Sequence, residues 1–265
     1  MYKDYWHLKE LPFENVPDPK FFYASRGHEE AVTRLLFAVE THKMIGMLTG
    51  DYGSGKTLVC QTLMSRMAAN DYKIAFVRNP RLEAVDLTRE IASQLGEAIP
   101  SSSKYDVLHV FESVLERHAT AGRHCVAIID ESQLVMNPQV LEDLRLLLNF
   151  QTADQSGLTL IFSGQTEFND LIKSIPQLRQ RIGIKFHIPH LEPDEVRPYM
   201  AHRLEASGGR LTIFEDQAVE ELARVSKGNP REINALADLC MLFGFMTGSP
   251  IVSSSLVGEA QKERA

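Results

Sequence analysis

The stretch Gly50-Asp-Tyr-Gly-Ser-Gly-Lys-Thr57 matches G-x-x-x-x-G-K-[ST] in full. Glycines at this spacing let the backbone curl until successive N–H groups converge on phosphate oxygens. Lys56 then neutralises charge at the β- and γ-phosphates, and Thr57 ligates Mg²⁺. Gly50, Asp51, Tyr52, Gly53, Ser54 and Gly55 are expected to form the wall of that cradle. The plain alternative is a glycine turn with an incidental lysine. Its context speaks against it, because the apolar run Met44–Thr49 precedes the loop and the helix-like stretch Leu58–Ala69 follows it.

Asp130-Glu131 closes the apolar run Val126–Ile129. Ligands of open parallel sheets bind at the carboxyl ends of the strands. Asp130 there suits holding Mg²⁺ through water, and Glu131 suits orienting or deprotonating an attacking water. A strand simply meeting solvent is the bland alternative. Ser163-Gly164-Gln165 ends a later run, and Gln165 is a candidate for positioning the water or the γ-phosphate, against an ordinary turn. Leu178-Arg-Gln-Arg-Ile182 is densely basic; Arg179 or Arg181 suits an arginine finger reaching a neighbouring copy's site, against a solvated helix end. In Gly228-Asn-Pro-Arg-Glu-Ile-Asn234, Arg231 falls in the first turn of a helix, where it either reaches toward a γ-phosphate or is a surface arginine.

These residues need a frame to hold them. Strand-like runs at Met44–Thr49, Lys73–Val77, Cys125–Ile129, Leu158–Phe162 and Ile184–Ile188 alternate with segments of helical period. One such segment carries Val140, Leu141, Leu144, Leu147 and Leu148, with Asn137 as its cap and Pro138 in its first turn. Runs apolar nearly throughout predict an α/β fold with a five-stranded parallel sheet, buried on both faces and sandwiched by helices. Beyond about residue 190 the strand signal ends. Pro193 starts one helix, and Asn229-Pro230 starts another with Ile233, Leu236 and Cys240 on one face. Pro198 is expected to kink or shorten the first of these. Ser101–Ser103 and Gly248–Ser255 read as polar loops. The expected organisation is an N-terminal segment 1–26, a nucleotide-binding core 27–190 and a small helical domain 191–265.

Composition agrees with a folded protein: 265 residues, 44% hydrophobic and 24% charged. No apolar run approaches the ~20 residues of a membrane helix. Three widely spaced cysteines, Cys60, Cys125 and Cys240, fit neither a disulfide framework nor a zinc knuckle, so a cytoplasmic location is expected. The net charge of −7 is spread along the chain, unlike the basic footprint of a dedicated DNA-binding domain. His187-x-x-His190 straddles the end of a run with Pro189 between, which favours a structural role over a metal site.

In order, the phosphate loop, Asp-Glu, polar strand tip, arginine element and Gly-x-Pro-Arg helix resemble an AAA+ ATPase. Tyr5-Trp-His-Leu-Lys-Glu-Leu-Pro-Phe13, Pro17-Asp-Pro-Lys-Phe-Phe-Tyr23 and His28-Glu-Glu-Ala31 are similar to the opening of the ExeA/GspA (general secretion pathway protein A) family. Leu178–Ile182 and Pro230–Asn234 resemble its later motifs. The resemblance runs from about residue 1 to 250. It implies strand order 5-1-4-3-2, a helical lid, ATP with Mg²⁺, and a nucleotide held between subunits of a homo-oligomer. It also makes Tyr23 and His28 candidates for adenine contact.

The secretion proteins of this family carry a membrane segment after the ATPase and often a peptidoglycan-binding domain; the sequence to Ala265 contains neither. Stand-alone ATPases of similar build, the TniB, TnsC and MuB group, accompany transposases and select target DNA. Two readings follow. One is a nucleotide-gated module that recruits a transposase on double-stranded DNA; the other is an ATPase driving assembly of a secretion or pilus system. A P-loop small-molecule kinase is third, disfavoured because Glu131 suits water activation.

Overall fold

The computed structural model describes residues 2–67, 71–101, 103–135, 137–152 and 155–264. Ala68 and Ala69, at the end of the expected helical stretch, and Ser102, within an expected loop, lie outside these residues. Two compact units are present. One comprises Glu30–Tyr52 and Val59–Ile188; the other combines the N-terminal residues to Glu29, Gly53–Leu58 and the chain from Pro189 onward.

The first unit is built on five parallel strands: β1 (Ile45–Gly50), β2 (Tyr72–Val77), β3 (His124–Ile129), β4 (Leu158–Gly164) and β5 (Ile182–Ile188). Their order is β2-β3-β4-β1-β5. This is the order that the resemblance implies, and every pairing in it is parallel. β1, β3 and β4 are buried along their whole length, as continuous apolar runs require.

The edge strands depart from the expectation of burial on both faces. Along β5 the half-buried Ile182, Ile184 and Phe186 alternate with the exposed Gly183, Lys185 and His187. An outermost strand keeps one face on the core and turns the other to solvent. Helices Ala84–Gln94, Lys104–Thr120 and Pro138–Leu147 contribute Leu87, Ile91, Phe111, Leu141 and Leu144 to the core that holds the sheet. Asn137 caps the last of these, its side chain accepting the Gln139 N–H at 3.0 Å.

The second unit has its own core, and the N-terminal segment is part of it. Trp6, Leu8 and Phe13 are buried among Met200, Leu204, Leu236 and Met241. Polar bonds secure the segment. Trp6 Nε1 donates to the Met241 carbonyl at 2.9 Å. The buried Arg203 donates to the carbonyls of Pro12 and Glu14 at 2.6 and 2.8 Å and lies over the Phe21 ring.

The helix Pro193–Ala206 opens with a capping box of Glu192 and Glu195 and runs through Pro198 without shortening. The packing of Val196, Tyr199, Met200 and Leu204 against the N-terminal segment offsets the one backbone bond that proline removes. Asn229 caps the helix Pro230–Thr247. Ser254 and Ser255, expected in a loop, open the final helix Ser254–Arg264 instead. Cys60, Cys125 and Cys240 are buried and outside any disulfide among the described residues, and burial pushes the pKa of the latter two up to about 12. Among the described residues no helix is long and apolar enough to cross a membrane.

Candidate phosphate-binding and hydrolytic site

The carboxyl ends of β3, β4 and β1 lie side by side in the first unit. Ile129 of β3 faces Phe162 of β4, so the next residues, Asp130 and Ser163, meet. Ser163 Oγ donates to Asp130 Oδ1 at 2.7 Å, and Asp130 is 3% exposed. A hydroxyl aimed at a buried carboxylate sets its orientation and satisfies one of its acceptor positions. Glu131, half-buried, has φ 51 and ψ 39, a left-handed conformation uncommon for a residue with a side chain. This turn swings the chain into a short 3₁₀ segment, Ser132–Leu134, instead of letting it continue as strand.

Gln133, on that segment, ties two candidates together. Its Nε2 donates to the Glu131 carboxylate, and its Oε1 accepts the Gln165 backbone N–H at 2.9 Å. Gln165 is therefore anchored at the tip of β4 through its main chain. Thr49 pairs with Gly164, which brings Gly50 and Asp51 to the same edge, where Thr166 Oγ1 donates to Asp51 at 3.2 Å.

The phosphate loop runs from β1 into the helix Lys56–Arg66. Gly53 and Gly55 have φ +82 and +91, which residues with a Cβ rarely adopt, and side chains already occupy the space beside both. A Cβ on Gly53 would lie 2.5 Å from Arg231 Cβ, and one on Gly55 would lie 2.7 Å from His28 Nε2. Arg231 thus packs on the loop from the first turn of its helix, held there by the cap in which Asn229 Oδ1 accepts its backbone N–H at 3.0 Å. His28 supports the loop by a hydrogen bond to the Ser54 carbonyl at 2.9 Å. Lys56 and Ser54 are buried, Thr57 is half-buried, and Asp51 and Tyr52 are exposed.

Other sequence candidates lie elsewhere. Arg181 precedes β5, at the amino edge of the sheet, where its guanidinium donates to Asn149 Oδ1 at 2.7 Å and faces Met44 Sδ. A seven-residue strand separates that edge from the carboxyl edge, roughly 20 Å at the usual rise. Arg181 is therefore far from its own chain's Asp130. Arg179 is exposed on the short helix Pro176–Arg179. Tyr23 packs against Tyr199 and His202. His187 Nδ1 lies 3.3 Å from the Thr49 hydroxyl, and His190 Nδ1 lies 3.2 Å from the Lys227 carbonyl.

Sequence reasoning missed Ser163 and Gln133. Ser163 was open to discovery by aligning the carboxyl ends of the two runs; Gln133 had no signal, because the left-handed turn at Glu131 creates its position.

The residues fit a phosphate chain and its cation. Ser54 Oγ is buried and has no hydrogen-bond partner among the described residues, as expected of a group awaiting an acceptor or donor from a ligand. Two left-handed glycines let the loop backbone curl while Arg231 and His28 pack beside it.

Comparison with known proteins agrees. The family described as AAA domain matches residues 39–172. General secretion pathway protein A of Aeromonas hydrophila is 32% identical over 254 residues, covering 94% of this chain; the chain spans 46% of that relative's length. Among solved structures, the ORC2 protein of Aeropyrum pernix, described in ADPNP–ADP complexes, superposes with a TM-score of 0.76 at 20% identity, covering 97% of this chain and 72% of that one. The ORC1 protein of the same organism, in complex with DNA, gives 0.71 at 17% identity, with coverage of 94% and 68%. A RuvB variant of Thermotoga maritima gives 0.56 at 20% identity, with coverage of 88% and 68%. Those structural likenesses concern the fold; the family match shows that the chain belongs to the AAA domain family, and along 94% of its length it is similar to general secretion pathway protein A.

Proposed function

We propose that the protein is an ATP-driven switch that assembles with copies of itself and, in its ATP state, engages the machinery of a secretion or pilus assembly. The observation that carries the ATPase part is the left-handed glycine loop ending in buried Lys56, with Ser54 Oγ unbonded among the described residues. Main-chain N–H groups of residues 53–57 bind phosphate oxygens, and Lys56 offsets their charge. Thr57 and Asp130 are the residues that would hold Mg²⁺. The cation, when bound, supplies positive charge to the phosphate oxygens as the terminal bond breaks. Glu131, aimed by Gln133, takes a proton from the attacking water, and Gln165 orients that water or the γ-phosphate. Arg231 reaches toward the γ-phosphate from its own chain, while Arg181 or Arg179 completes the site of a neighbouring copy. Attack of that water on the γ-phosphorus breaks its bond to the bridging oxygen, and release of phosphate and ADP returns the switch to its other state.

The secretion partner is favoured by the similarity to general secretion pathway protein A along 94% of the chain. A second reading, double-stranded DNA with a transposase, draws support from the likeness to an ORC1 protein solved with DNA. On a chain of net charge −7, such binding would need many copies to align their basic residues on one surface.

One experiment separates the two. Glu131→Gln protein with ATP and Mg²⁺ is checked for assembly by light scattering, then titrated onto a labelled duplex by fluorescence anisotropy between roughly 50 and 200 mM salt. The secretion reading expects assembly without duplex binding. The DNA reading expects ATP-dependent binding that weakens with salt by about 0.9 log units per phosphate neutralised for each log unit of salt. Absence of any ATP-dependent assembly would overturn the switch itself.

A further inference from the structure

His28 lies in the first turn of the helix Arg26–Glu40 and is 6% exposed. Both ring nitrogens are engaged. The Ser54 carbonyl only accepts, so Nε2, 2.9 Å away, carries the proton and donates to it. Nδ1 is then the acceptor, and Ser25 Oγ donates to it at 2.6 Å. The same serine oxygen accepts the His28 backbone N–H at 3.2 Å, as an N-cap does. The turn is pinned in its place: the Arg26 N–H donates to Glu195 at 2.8 Å, and the Arg26 guanidinium pairs with Glu195 and Asp194.

The carbonyl of Ser54 and the N–H of Gly55 belong to one planar trans peptide, so they point in opposite directions. With the carbonyl drawn to His28, the Gly55 N–H is turned away from the buried ring. Glycine at 55 is what allows the ring so close, since a Cβ there would meet Nε2 at 2.7 Å.

The geometry points to His28 as a positioning residue of the phosphate loop: held as its Nε2–H tautomer by Ser25, it sets the Ser54–Gly55 peptide so that Gly55 N–H is presented to the nucleotide's phosphates. This rests on reading Gly50–Thr57 as the nucleotide's phosphate loop. It assigns His28 a role toward phosphate in place of the adenine contact that the family resemblance raises. A ring buried to this degree, with both nitrogens bonded and Phe22 edge-on at 6.3 Å, has little surface left for a base.

The test exploits side-chain reach. Glutamine places an amide nitrogen where His Nε2 sits; asparagine reaches only the place of Nδ1. His28→Leu, His28→Asn, His28→Gln and Ser25→Ala are compared with wild type by calorimetric titration of Mg-ATP, Mg-GTP and tripolyphosphate. Thermal melts establish that each variant is folded. Loss of the donor is expected to weaken ATP and tripolyphosphate alike in His28→Leu and His28→Asn, by about tenfold. The ATP-to-GTP ratio stays constant, and His28→Gln recovers most of the loss. Ser25→Ala shows a smaller loss of the same kind, and it carries the test if the leucine variant does not fold.

A changed ATP-to-GTP ratio, or a loss for ATP with tripolyphosphate unaffected, would make His28 a base contact and overturn the inference. So would a folded His28→Gln no better than His28→Asn. Failure of the underlying reading looks different: wild type would not bind ATP, or Lys56→Ala would bind it as well as wild type, whatever stands at position 28.

Discussion

At the amino edge of the sheet the Thr159 hydroxyl donates to the Lys43 carbonyl at 2.8 Å, so its oxygen accepts from His124 Nε2 at 2.9 Å. That leaves His124 Nδ1 without a proton, and His42 Nδ1–H supplies the bond at 3.0 Å. Every donor in this chain meets an acceptor of the same protein, and the tautomer of each ring is determined. At the carboxyl edge of the same strands, Ser163 aims Asp130, Gln133 aims Glu131, and Glu131 sits in a left-handed turn. The contrast is between polar groups closed upon one another for burial and polar groups oriented for something not of the chain. Each edge has one left-handed residue, His42 with φ 50 and Glu131 with φ 51, so the difference lies in what the side chains are oriented toward and not in backbone strain.

The strongest test of that contrast removes the carboxyl edge's chemistry. Lys56→Ala should abolish ATP binding, measured by calorimetry. Glu131→Gln should bind ATP normally and lose turnover by roughly 10²- to 10⁴-fold, because an amide cannot accept water's proton. Wild-type turnover in Glu131→Gln would move the base elsewhere and leave the strained turn without a catalytic purpose.

Next in size is the arginine element beside the amino edge. We expect Arg179→Ala to lower turnover by about 10³-fold with its melting temperature unchanged, since that side chain is exposed. Arg181→Ala should lower the melting temperature, because it loses the bond to Asn149. Mixing Arg179→Ala with Lys56→Ala should restore part of the activity by pairing an intact loop with an intact finger. If Arg181→Ala loses turnover at an unchanged melting temperature, and mixing rescues it, then Arg181 is the finger.

The smallest effect is on stability at the amino edge itself. Burial, with His42 nearby, pushes the His124 pKa down to about 4. The unfolded chain takes up that proton first, near pH 6.5, so the stability it contributes is complete above 6.5. It is lost as pH falls toward 4, by about 3 kcal/mol in all. Denaturant midpoints at pH 7 and 4.5 should converge between wild type and His124→Gln as pH falls. Parallel pH dependence in the two proteins would show that the closed network does not hold His124 neutral.

Local chemistry was legible where it is local. The strand, loop and helix around Gly50–Thr57, the caps at Asn137 and Asn229 and the helix start at Pro193 are each set by a few adjacent residues, and the structure has them all. Strand runs were legible to within a few residues; β4 extends to Gly164 and β5 starts at Ile182, since pairing with a neighbour continues past the apolar stretch. The course of the helix through Pro198 was not legible, because packing from the N-terminal segment outweighs one missing backbone bond.

By itself the sequence determined which candidate groups for phosphate chemistry exist and at which strand ends they stand: Gly50–Thr57, Asp130, Glu131 and Gln165. Their spacing is written in adjacent residues, and a buried strand must carry its final residue to the sheet's edge. Only the tertiary structure decided who orients them. Ser163 meets Asp130 through the register of β3 on β4, Gln133 reaches Glu131 through a left-handed turn, and His28 lies against Ser54 in a unit whose core joins the N-terminal segment to the helices after Pro189. Hydrogen bonds act over about 3 Å regardless of separation along the chain, so such partners are selected by packing and register.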